Sequence, residues 1–75
     1  MNQQYDETSP VAIGLPVYNG ERYLEDTLRS VLNQTFENFD LFIADNASTD
    51  RTEEICRDYA ERDSRIQYIR NPVNL

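Results

Sequence analysis

The residues of this sequence whose types could do chemistry gather in two short stretches. One is Pro16, Val17, Tyr18, Asn19, Gly20 and Glu21, and the other is Asp45, Asn46, Ala47, Ser48, Thr49 and Asp50. Each follows an apolar run and precedes a helical pattern, so each reads as the link from a strand to a helix. Together they offer a proline wall, an aromatic face, an amide and a carboxylate. That set suits a flat base that is stacked upon and hydrogen-bonded at its edge. The 75 residues contain no histidine, which excludes a histidine general base, the usual serine and cysteine triads, and the commonest metal ligand. The single cysteine cannot form an internal disulfide or a multi-cysteine zinc site, and it points to a reducing compartment.

Every candidate also has a structural reading. Asp50 reads as a helix cap, with Ser48 and Thr49 as ordinary turn residues beside it. Asn19 serves as a cap, a ligand or both. Tyr18 stands at a strand end directly before a cap, where no packing duty is evident, which favours binding. Asp45 follows four apolar residues and is the first choice for a binding carboxylate, the alternative being a carboxylate that satisfies loop amides. Cys56 lies on an apolar helical stripe and reads as a buried small hydrophobe rather than a nucleophile.

The elements that must position these residues follow from periodicity. Val11 to Leu15 is a continuous apolar run closed by Pro16, the pattern of a strand in a parallel sheet. Asn19 caps a helix with Glu21 in its first turn, and Leu24, Thr27, Leu28, Val31 and Leu32 form its apolar stripe up to Asn33 or Gln34. A second strand spans Phe39 to Ala44. Asp50 and Glu53 have capping-box spacing and open a second helix with Ile55, Cys56, Tyr59 and Ala60 on its stripe. Ile66 to Ile69 is a short third strand, and Asn71 with Pro72 breaks it. Residues 1–10 have no periodicity and read as a disordered leader, leaving 11–75 as the folded part.

Alternating strands and helices require parallel pairing with right-handed crossovers. Strands added in one direction then put both helices on one face and leave the other bare. The first two strands are apolar on both faces, so something outside the chain should cover that side, as in the N-terminal half of a larger α/β domain. The expected class is α/β, a Rossmann-like βαβαβ half with a parallel sheet, truncated.

Seven arginines against fourteen acids give a net charge of −7, the wrong sign for nucleic acid or an anionic membrane. No apolar run approaches the ~20 residues that span a bilayer, and the acidic N-terminus is unlike a signal peptide, so the expected location is cytoplasmic.

The segments GLPVYNGERYL, SVLNQTF and FDLFIADNASTDRT, in that order and spacing, resemble the nucleotide-sugar glycosyltransferases of family 2, whose domain has the GT-A fold. The resemblance runs from about Val11 to Leu75. It implies that Pro16 sits at the nucleobase, Tyr18 stacks on it, and Asp45 and Asn46 meet its hydrogen-bonding edge. Many family members carry two aspartates where this chain has Asp45 and Asn46, which leaves the base preference open. The resemblance also implies a divalent cation, Mg or Mn, on an Asp-x-Asp motif, and a carboxylate base for the acceptor. No Asp-x-Asp occurs here, and the base is expected beyond Leu75. The chain should therefore bind a nucleotide-diphosphate sugar weakly and catalyse nothing alone, with the acceptor unknown and self-association through the bare face expected. The alternative is a non-catalytic α/β module or protein-interaction piece. A dinucleotide-binding half is disfavoured because only Gly14 and Gly20 occur near the first turn, and a receiver-type domain because lysine is absent.

Overall fold

The computed structural model describes residues 11–34 and 38–73. The leader assigned to residues 1–10 and the end of the SVLNQTF segment lie outside them. The elements are β1 (Val11–Val17), α1 (Leu24–Leu32), β2 (Phe39–Asn46), α2 (Thr52–Arg62) and β3 (Ile66–Asn71). All strand pairs are parallel, in the order β1-β2-β3. The register sets Val17 opposite Asp45 and Asp45 opposite Arg70.

Burial alternates along the sheet with the two-residue period of a strand. Phe39, Leu41 and Ile43 are buried, together with Val17 and Ile66, and pack against Leu24 and Leu28 of α1 and Ile55, Cys56 and Tyr59 of α2. Both helices therefore cover one face. The other face carries Ala12, Gly14, Pro16, Phe42, Ala44, Gln67 and Ile69, all exposed. The expectation of a bare face is met, with Phe42 40% and Ile69 56% accessible. Turns are fixed by polar contacts. Arg65, before β3, pairs with Asp63 at 2.7 Å, donates to the Leu32 carbonyl at the end of α1 at 3.3 Å, and lies 4.5 Å from the centroid of the Phe39 ring.

Element boundaries differ from the sequence reading at the places that matter for function. Pro16 does not close β1 but sits inside it, opposite Ala44, because β1 is an edge strand and tolerates a missing donor. Asp45 and Asn46 are the last residues of β2 rather than loop residues. α1 starts at Leu24 after a turn over residues 21–23, and Asn19 does not cap it. The Asp50 and Glu53 capping box does not form either. Glu53 bonds Arg57 at 2.9 Å, one turn along the helix, and faces Arg70 at 3.5 Å.

Candidate functional site

The carboxyl ends of β1 and β2 lie side by side, and the links that leave them are tied together by hydrogen bonds between residues about thirty positions apart. The Asn19 amide donates to Ser48 Oγ at 2.8 Å, the Gly20 amide to Thr52 Oγ1 at 2.7 Å, and the Glu21 amide to Asp50 Oδ2 at 3.2 Å. In return the Thr49 amide donates to Asn19 Oδ1 at 2.8 Å and the Arg51 amide to Glu21 Oε1 at 2.9 Å. Helix starts leave amides without intrahelical partners, and here each link supplies the acceptors for the other. Asp50 adds a local cap, taking the Thr52 amide at 2.9 Å. Burial opposes its charge, but the Thr52 hydroxyl and the Thr52 and Glu21 amides outweigh that and hold its carboxyl below the ordinary value.

Each link contains one non-glycine residue with left-handed backbone, Asn19 at φ 48° and Ala47 at φ 59°. Asparagine tolerates this conformation, whereas alanine is strained there by about 1–2 kcal/mol. Strain of this kind persists only where the surroundings fix it, and it clusters at functional sites. Gly20, buried between the links, leaves room for Tyr23, since a Cβ there would lie 2.8 Å from the Tyr23 ring.

The four residues expected at a base are divided by the strand pleat. Pro16 and Asn46 belong to the alternating set of the open face, and Tyr18, just past the end of β1, is 48% accessible. Asp45 belongs to the helix-covered set and is fully buried. Its Oδ1 accepts the Ser48 amide at 3.0 Å and its Oδ2 accepts the Tyr68 hydroxyl at 2.5 Å. Burial opposes ionisation, but the Ser48 and Tyr68 hydroxyls, the Ser48 amide and the Arg70 charge prevail and keep the carboxyl below its ordinary 3.8. A direct contact between Asp45 and a base would require exchanging one of these bonds. Burial, followed by donation to Asp45, raises the Tyr68 hydroxyl well above its ordinary range.

The sequence reads Ser48 as a turn residue and Glu21 as a first-turn acid, and it does not single out Thr52, Tyr68 or Arg70. Only Thr52 carried a signal, since 52, 55, 56 and 59 lie on one helical stripe. Cys56 is buried as expected, and burial, then the Asp45 charge, pushes its thiol up to about 12. Among the described residues there is no group of three His, Cys, Asp or Glu side chains that could hold a metal ion. No helix among them is long and apolar enough to cross a membrane. A groove of about 460 Å³ lined by Arg57, Asp58, Ala60, Glu61 and Tyr68 lies toward the other end of α2, away from the paired links.

Residues 12–75 match the family described as Glycosyl transferase family 2. The chain belongs to that family. Among its relatives, it is 41% identical over 59 residues to glycosyltransferase GlyA of Streptococcus pneumoniae, covering 79% of this chain and 8% of GlyA. It is 38% identical over 64 residues to a glycosyltransferase of Haemophilus influenzae, covering 85% of this chain and 26% of the relative. The chain thus spans about a quarter or less of the length of these relatives. Its fold is similar to that of a mannosyltransferase from Pyrobaculum calidifontis solved with GDP-Man and Mn2+, with a TM-score of 0.77 and 24% identity over 92% of this chain and 22% of the other. The βαβαβ unit therefore has a GT-A type fold, as the family 2 resemblance implied.

Proposed function

We propose that this chain supplies the nucleobase-binding part of a glycosyltransferase that transfers a sugar from a nucleotide diphosphate to an acceptor. The observation that carries this reading is the pair of mutually braced links at the carboxyl ends of adjacent parallel strands, where ligands bind in open α/β sheets. Pro16, Tyr18 and Asn46 form the wall, the stacking face and the polar edge on the open side. Asp45 stands beneath them and sets the end of β2, with base contact available only by exchange of a present partner.

The divalent cation and the carboxylate base for the acceptor, which the family 2 resemblance implies, are proposed to sit on residues of the glycosyltransferase other than Pro16, Tyr18, Asp45 and Asn46. When bound, a divalent cation would neutralise the departing diphosphate. The 75 residues alone are expected to bind donor weakly and to transfer nothing.

Calorimetric titration of the 75-residue chain with UDP, GDP, CDP and ADP tests the reading. The expected result is weak binding to one base in preference to the others. Equal or absent binding of all four overturns it. The bare sheet face favours a second reading, an α/β interaction module that self-associates, and that reading predicts association without nucleotide binding.

A further inference from the structure

β3 holds the end of β2 from behind at two points. Tyr68 donates to Asp45 Oδ2 at 2.5 Å, and Arg70 Nη2 donates to the Ser48 carbonyl at 2.9 Å. The register explains both contacts, since Ile43 pairs with Tyr68 and Asp45 with Arg70, leaving the long tyrosine to reach forward along the strand. The Tyr68 ring is itself held, with the Arg57 guanidinium 5.0 Å from its centroid and Arg57 bonded to Glu53 at 2.9 Å. Asp45 is fully buried, and a buried carboxylate is stable only when its oxygens are satisfied. With Ser48 on one oxygen and Tyr68 on the other, the backbone that presents Asn46 on the opposite face has one preferred setting.

We infer that Tyr68 is a positioning residue for nucleobase recognition, its hydroxyl acting through Asp45 to fix the end of β2 and the link over residues 47–51 against the β1 link. The inference rests on the donor-binding reading above. Tyr68 touches no reacting atom and is not a catalytic residue. The groups that face this pair are Arg70 from β3, Cys56 and Glu53 from α2, and Ser48 from the link.

The test titrates wild type, Tyr68→Phe, Asp45→Asn and the double variant with UDP, GDP, CDP and ADP in Mn2+ between about pH 4.5 and 8, beside thermal melts. Phenylalanine keeps the ring under Arg57 and deletes only the hydroxyl. The expected result is a folded Tyr68→Phe protein whose ratio of best to worst nucleotide affinity falls by about tenfold, the value of one hydrogen bond to a charged acceptor. Its binding should also weaken at a higher pH than in wild type, because Asp45 has lost a donor. The double variant should match Asp45→Asn, since the two residues act as one unit. An unchanged ratio, additive effects, or a lowered melting temperature alone overturns the inference. If Tyr68→Phe does not melt cooperatively, Arg57→Ala, a surface change that releases the ring, takes its place, with a reduced ratio supporting the role and an unchanged one overturning it. Wild type that binds none of the four nucleotides overturns the donor-binding reading itself, whereas wild type and Tyr68→Phe discriminating equally overturn only the role of Tyr68.

Discussion

At Asp45 two opposing effects meet, and their balance is measurable. Burial raises the cost of the charge, yet hydrogen bonds and Arg70 hold the folded carboxyl below 3.8. A group depressed on folding contributes its stability in full above the unfolded value and loses it as pH falls through the folded value. Melting temperature should therefore drop on acidification below pH 3.8, and Asp45→Asn should lose part of that dependence, as melts across pH would record. Asp50, Asp63 and Glu54 are also held low and share in that dependence. Asp45→Ala leaves the Tyr68 hydroxyl and Ser48 amide without acceptors and should cost about 1–3 kcal/mol in denaturant unfolding. Cys56, with its thiol pushed up to about 12 and no exposed surface, should resist alkylation at neutral pH until the protein unfolds. Mass spectrometry after a maleimide pulse, with and without denaturant, checks this.

Between elements, the reciprocal bracing of the two helix starts outweighs the exposed arginine pairs. The pairs Arg29–Asp26, Arg57–Glu53 and Arg62–Asp58 are formed within single helices on the surface, where such contacts contribute little. Thr52, by contrast, is fully buried and is the acceptor for the Gly20 amide. Thr52→Val keeps the shape and orphans that amide, so a loss of about 1–3 kcal/mol is expected in denaturant melts, with donor binding weakened as the links separate. Ala47→Gly should behave oppositely. Glycine accepts φ 59° freely, and the change should leave stability unaltered or raise it by up to about 1 kcal/mol. A clear destabilisation would show that Ala47 is not strained.

For the molecule as a whole, the uncovered sheet face dominates. Phe42 and Ile69 stand exposed beside small residues, and Gly14 has open space above it. An apolar sheet face of this kind lowers the surface that folding removes from water and favours association. The 75-residue chain should therefore sediment as more than a monomer, and Phe42→Lys should shift it toward monomer without moving nucleotide discrimination. A monomeric wild-type chain with a cooperative melt would argue against this.

The order and type of the five elements were legible because helical and strand periodicities are local properties of Leu24 to Leu32, Phe39 to Ile43 and Ile55 to Ala60. Parallel pairing and the bare face followed from crossover geometry, and the two chemical stretches followed from their places after strands. The partners were not legible. Glu21 looks like a first-turn acid of its own helix, yet it accepts an amide from the start of the other, thirty residues away. Asp45 and Asn46 are adjacent in sequence, but the pleat sends them to opposite faces, and only the position of β2 between covered and open sides decides which residue is enclosed. Tyr68 gives no local sign of its bond to Asp45, because that contact depends on the register of β3 against β2. Periodicity is written residue by residue, whereas register and cross-link partners are settled by packing distant segments together, and so belong to the tertiary structure alone.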